Sequence, residues 1–244
     1  MLAPLFNVVT LSIAGMFLAF CALDGLHRAR TLDEQPFWRL RGVVAFALYV
    51  TVAVYAPLLW DAWLAERSLF DISGWPAWAQ FVTGVLVIEL GIYAWHRTMH
   101  QTDFLWRRLH QTHHAAERVD IWGAFWFHPL DMIGWALLGS LCLVGGLGIG
   151  AGGAIAVTLF TSFLSMFTHA NIRTPRWLGY IIARPESHAA HHEKGVHGRN
   201  YSDLPLWDMI FGTFHNPKDF PAETGFYDGA SLRLWPLLIG RKLV

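Results

Sequence analysis

The sequence predicts an all-α integral membrane protein, and three observations carry that prediction. The 244 residues are 54% hydrophobic, and the apolar residues come in long blocks rather than an even scatter. Several blocks reach the roughly 20 residues a helix needs to cross a bilayer. Lys and Arg collect in alternate connecting loops, the pattern that sets membrane orientation. Net charge is zero, which gives no case for nucleic acid. Thirteen tryptophans and seventeen phenylalanines suit interfacial belts and apolar pockets.

The first span is expected from about Leu5 to Leu26 and, lacking a basic n-region, is read as retained. Arg28, Arg30, Arg39 and Arg41 follow it and mark the cytoplasmic side, which puts the N-terminus outside. The second span, roughly Val43 to Leu64, leads to a loop with Glu66, Asp71 and Arg67. Pro76 opens the third, roughly Ala77 to Trp95, which returns the chain to the cytoplasm. From Met132 to Thr168 the chain is almost wholly apolar around GGLGIGAGG, Gly145 to Gly153. That length fits a hairpin turning at the glycines, giving four to five transmembrane helices in all. The segment from Leu204 to Val244 is expected as short interfacial helices, and the whole chain, 1–244, as one membrane-embedded domain. Cys21 and Cys142 lie in different apolar blocks and suggest neither a disulfide framework nor a thiolate site.

The chain is organised around WHRTMHQTDFLWRRLHQTHH, Trp95 to His114. His96 and His100 are four apart; His110, His113 and His114 repeat the spacing at three and four, as do His188, His191 and His192 in SHAAHH. Residues so spaced share a helix face, and neutral imidazole is the commonest metal ligand, so eight such groups point to a multinuclear centre. A zinc-protease pair would carry glutamate where Arg97 stands. A structural zinc site closes with four ligands. A b-type haem needs only one histidine on each of two helices. Two ions in imidazole shells with open positions fit better, and iron fits oxygen chemistry because it cycles between redox states. Isolated histidines such as His27 and His215 are read as polar tips.

WHRTMH, LHQTHH, FTHANI and SHAAHH, followed by NYSDLPLWDMIFGTF, resemble the signature series of the fatty acid hydroxylase/sterol desaturase superfamily over about 89–214. The resemblance implies a membrane non-haem di-iron enzyme that uses O2 and two electrons to hydroxylate, or sometimes desaturate, a lipid. It implies His96, His100, His110, His113, His114, His188, His191 and His192 as ligands, with His169 as a ninth. His128 in FHPLD, before Pro129, reads as a helix start, and His197 as a ligand, an outer donor or a surface residue. Zinc can replace iron in such a shell.

Ligating imidazoles donate their second N–H to a carboxylate or carbonyl. Glu89, two turns before His96, is the first candidate, with Asn171, Asp208, Asp203 and Glu186 as alternatives; Asp208 also reads as a helix cap. Trp122, Phe125, Trp126 and Phe127 are candidates for a lipid path entered from the bilayer. No haem, flavin or ferredoxin motif is visible, so electrons are expected from an external donor, cytochrome b5-like or ferredoxin-type. Arg107, Arg108 and Arg118 are candidates to dock it. The compact chain suits a bacterial inner membrane. A competing class, metal handling or transport, would place polar groups at mid-membrane on several spans, and few are visible.

Overall fold

A computed structural model describes residues 3–244, and among them the chain is helical with no strand, apart from one isolated bridge between Glu193 and Thr224. The helices are α1 (Val8–Leu26), α2 (Trp38–Tyr55), α3 (Asp61–Ala65), α4 (Ala77–Gln101), α5 (Asp103–Leu105) and α6 (Gln111–His114). Then come α7 (Pro129–Ser140), α8 (Ala151–His169), α9 (Pro185–His191), α10 (Pro205–Ile210) and α11 (Leu234–Leu238). Five helical runs among the described residues are long and apolar enough to cross a membrane: Val8–Leu26, Trp38–Leu59, Ala77–Gln101, Pro129–Gly146 and Ala151–His169.

Local chemistry sets the helix ends. Asn7 caps α1 by accepting from the N–H groups of Val9 and Thr10. Pro129, Pro185 and Pro205 occupy the first helical position of α7, α9 and α10, where a missing N–H costs nothing. Nδ1 of His128 accepts from Leu130 N–H and caps α7. The expected hairpin is present. The first arm ends in a π-helical turn over Leu141–Gly146, and the reversal passes through Gly148 at φ +54°, where a Cβ would run into the Phe70 carbonyl.

The spans differ from expectation at their ends. The second begins five residues earlier than Val43, at Trp38, because Trp38 Nε1 donates to buried Asp120 at 2.8 Å and pins the helix start beneath the cap. The third runs six residues past Trp95, to Gln101, so His96 and His100 ride on its last turns. Glu89 therefore sits at the middle of α4, fully buried.

Two apolar cores hold the bundle. One packs Phe17 and Phe20 of α1 against Phe125, Met166 and Phe167; the other packs Val85 and Ile88 of α4 against Leu143, Leu147 and Val157. Elsewhere the spans expose large apolar residues, such as Val44, Leu48 and Ile133, as a lipid-facing surface requires. The C-terminal ends of α4 and α8 and the N-terminal end of α7 share one end of the bundle, and the short helices α5, α6, α9, α10 and α11 roof it. Trp235 and Ile210 on these short helices are exposed, as interfacial helices would leave them.

Candidate metal centre

Under that roof the chain brings together nine histidines in two groups: His96, His100, His110, His114 and His191 in one, and His113, His169, His188 and His192 in the other. Within each group one nitrogen per ring lies within 4.8 Å of the rest. The neighbours His113 and His114 fall in different groups, as do His191 and His192. Consecutive helical residues point about 100° apart, so each HH pair faces both groups at once.

Ring orientations follow from what the outer nitrogens meet. Nδ1 of His96 donates to the Tyr201 carbonyl at 2.8 Å, Nδ1 of His191 to the Arg199 carbonyl at 2.6 Å, and Nδ1 of His169 to the Ser165 carbonyl at 2.8 Å. A carbonyl only accepts, so these rings carry their proton on Nδ1 and turn a bare Nε2 inward. Nδ1 of His110 meets Asp131 Oδ2 at 2.9 Å, both side chains being essentially inaccessible. The inward Nε2 atoms of His96, His110 and His191, and both nitrogens of His100 and His114, are buried with no partner.

In the second group the Nε2 atoms crowd one another: His113 to His169 at 3.4 Å, His169 to His188 at 3.1 Å and His188 to His192 at 3.2 Å. Nitrogens bound tetrahedrally at about 2.05 Å to one ion stand about 3.3 Å apart. The buried, unpartnered nitrogens and these separations fit two imidazole-bound metal ions.

Burial, reinforced by neighbouring imidazoles, holds His110, His113, His114, His188, His191 and His192 well below the ordinary histidine pKa, keeping them neutral and able to ligate. Neither group contains a carboxylate.

The expected carboxylate partners are placed differently. Glu89 does not bond a histidine: its Oε2 accepts from the N–H groups of Asp203 and Leu204 at 3.0 and 2.9 Å. Asp208 accepts from the N–H groups of Tyr201 and Ser202 and from the hydroxyls of Ser202 and Thr213, so it braces the preceding loop, where the sequence suggested a helix cap. Glu89 and Asp208 together fix the strand of chain whose Tyr201 carbonyl orients His96. Asn171 bonds no histidine side chain and clasps Arg30 through both its side-chain polar atoms. Glu186 pairs with Arg184 and Thr174.

The carboxylate that does touch a ring, Asp131, was missed. It lies 21 residues beyond His110, and its one signal was its place three residues after His128 in FHPLD. His128 and His197 join neither group: Nε2 of His128 donates to the Leu238 carbonyl at 3.2 Å, and His197 stands with its ring centre 5.2 Å from that of His114.

A cavity of about 340 Å³ runs from the histidines into the bundle between α2, α4, α7 and α8. His96, His110, His113, His169 and His188 form its inner end. Phe125 and Phe127 line it, and Phe127 stacks on His113 with centroids 4.4 Å apart. Trp122 and Trp126 do not: Trp122 packs edge-on to Phe17, and Trp126 against Trp38 beneath Arg41. Asp203 also lines the inner end, and burial raises its carboxyl to about 6 against the lowering hydrogen bonds from Ser165 and Thr168.

Comparison with known proteins follows the same lines. The family model described as fatty acid hydroxylase matches residues 81–213, more than half of the chain. Ornithine lipid hydroxylase OlsE of Rhizobium tropici is 34% identical over 230 residues, covering 87% of this chain and 67% of its own. Sphinganine C4-monooxygenase 1 of Arabidopsis thaliana is 31% identical over 221 residues, 82% of each chain. Alkylglycerol monooxygenase of Xenopus tropicalis is 27% identical over 206 residues, 80% of this chain and 42% of its own. No solved structure matches. With its ordered histidine series, its five membrane-length helices and these relatives, the chain belongs to the fatty acid hydroxylase family, within the fatty acid hydroxylase/sterol desaturase superfamily.

Proposed function

We infer that the protein is a membrane di-iron oxygenase that hydroxylates a C–H bond of a lipid with O2. The observation that carries this reading is the juxtaposition of two neutral imidazole groups with the inner end of a largely apolar cavity sunk into the membrane bundle. The lipid-hydroxylating relatives support it. Transport fits less well, because the histidines gather at one end of the bundle.

The nine histidines would hold two iron ions, which when bound supply O2 activation with two electrons from outside the chain. The protein's own part is positional. Burial keeps the imidazoles of the roof neutral, Nδ1 donation aims their bare nitrogens inward, and Asp131 makes His110 a stronger ligand. Glu89 and Asp208 act as positioning residues through the Tyr201 loop, whereas Asn171 ties down the connection after α1. Phe125, Phe127, Ile88 and Ile92 exclude water and hold an alkyl chain against the His113 side of the centre.

The lipid enters from the bilayer, and basic loops at the histidine end support a cytoplasmic cap with the N-terminus outside, in a bacterial inner membrane. The external electron donor, cytochrome b5-like or ferredoxin-type, would meet Arg107 and Arg108; Arg118 is occupied by Asp120 and the Asp33 carbonyl.

The test is reconstitution of the full chain with ferrous iron and a reductant, following O2 uptake and lipid products by mass spectrometry beside His113→Ala. A product one oxygen atom heavier, absent with the variant, is expected. One two hydrogens lighter would make the enzyme a desaturase. Stoichiometric iron with neither O2 uptake nor product across lipid classes would favour metal handling instead. Zinc suits the same nitrogen sets, so metal content alone does not decide.

A further inference from the structure

The cavity has a carboxylate at each end. Asp203 lines it beside the histidines, and Asp61, the first residue of α3, lines it at the opposite end. On α8 the lining extends from His169 back to Ala154, ~22 Å at 1.5 Å per residue. That is most of a ~30 Å hydrocarbon core. Between the two ends the walls are mainly aliphatic and aromatic, including Ile88, Ile92, Leu138 and Leu143.

The histidine end is the better built of the two. Asp203 is gripped through its backbone on both sides, its N–H by Glu89 Oε2 at 3.0 Å and its carbonyl by Ala183 N–H at 2.7 Å. Its carboxylate is thereby presented to the cavity, where Ser165 Oγ donates to Oδ2 at 3.2 Å and Thr168 lines the same wall.

Among the described residues no Lys or Arg forms an ion pair with Asp203 or with Glu89 behind it, and Oε1 of Glu89 is buried without a partner. A carboxylate facing an apolar cavity without a cation is costly, and a ligand bringing a donor or a positive charge offsets that cost. A second carboxylate brought to the same place is repelled.

Resting on the hydroxylase reading above, we propose that Asp203 is the head-group determinant of this enzyme: it selects lipids that carry an ammonium or hydroxyl group near the attacked carbon and rejects free fatty acids. The lipid lies with its polar end at the histidines and its tail running toward Asp61. Ser165 and Thr168 complete the polar subsite, and the apolar walls beyond hold the chain.

The test measures displacement of radiolabelled hexadecylamine from the metal-free full chain in a neutral detergent by unlabelled hexadecylamine, 1-hexadecanol and hexadecanoic acid. The native protein should prefer the amine, then the alcohol, with the acid weakest. Asp203→Asn should cost the amine about tenfold, the scale of one charge-assisted hydrogen bond, while the acid gains. Asp61→Asn should leave the order as it is.

An order unchanged by Asp203→Asn, or abolished by Asp61→Asn, overturns the proposal; so does a change in metal affinity alone, which would make Asp203 a counter-charge for the ions. Should the Asp203 variant not fold, the native protein loaded with Co²⁺ decides. Hexadecylamine labelled with ¹³C at its first carbon should broaden more than the same amine labelled at its last, and the reverse overturns the proposal. Because the displacement arm needs no iron, a protein that shows the amine preference yet consumes no O2 would keep the subsite and lose the hydroxylase reading.

Discussion

The two histidine groups are built on different principles. The group of five is held from outside: His96, His110 and His191 each give Nδ1 to a fixed acceptor, two of them carbonyls of the 199–201 loop and the third Asp131 on α7. The group of four has fewer such outside acceptors. Its Nε2 atoms lie 3.1–3.4 Å apart in a chain, and among its outer nitrogens the Nδ1 of His169 bonds its own helix at Ser165. The first group therefore depends on long-range tertiary contacts for its ring directions. The second depends on the packing of α6, α8 and α9 and on the face of each helix.

That contrast can be broken most severely at the histidines themselves. His191→Ala and His188→Ala should each remove about one metal equivalent, measured by metal analysis after identical loading, but from opposite groups. The remaining group should keep its affinity if the two are built separately. Retention of both ions by either variant would contradict the partition into five and four.

Next in size is Asp131→Asn, which takes the carboxylate from His110. Loss of a carboxylate partner costs on the order of 10–100-fold in metal affinity. Competition with a chelator should show that loss for one ion and leave the second unmoved.

Smaller again is the loop brace. Asp208→Asn leaves the N–H groups of Tyr201 and Ser202 with a weaker acceptor, and Glu89→Gln does the same for Asp203 and Leu204. Each should lower stability by about 1–3 kcal/mol and weaken metal binding at the five-histidine group only, read by denaturant midpoint and chelator competition.

A perturbation that touches both groups alike is pH. His110, His113, His114, His188, His191 and His192 have folded pKa values below their unfolded value of about 6.5. Below that pH the unfolded chain binds more protons than the folded one, so stability falls as pH falls. The metal-free protein should lose thermal stability progressively below about pH 6.5 and be flat above it. A melting temperature that rises on acidification would contradict neutral, buried imidazoles.

Much of this architecture was legible from residue order. The long apolar blocks and the glycine run gave the spans and the hairpin, because a bilayer imposes a length and a polarity on any helix that crosses it. Gly148 shows why the turn falls where it does: at φ +54° with the Phe70 carbonyl against it, a side chain has no room. The span ends were less legible. Trp38 starts α2 early because Asp120, 82 residues away, accepts its indole N–H, and no local pattern encodes that partner. The aromatic run at Trp122 to Phe127 read as one feature, yet alternate residues divide between the cavity and the packing under α1 and α2.

The sequence by itself determined which residues have ligand chemistry and that they lie at one end of the bundle, since spacing of three and four fixes a helix face and the parity of the spans fixes the end. Tertiary structure alone decided that adjacent histidines serve different groups, that Asp131 rather than Glu89 meets a ring, and that Asp203 faces the cavity. Those outcomes depend on contacts between elements far apart in the chain, where the direction of a side chain is set by what packs against it.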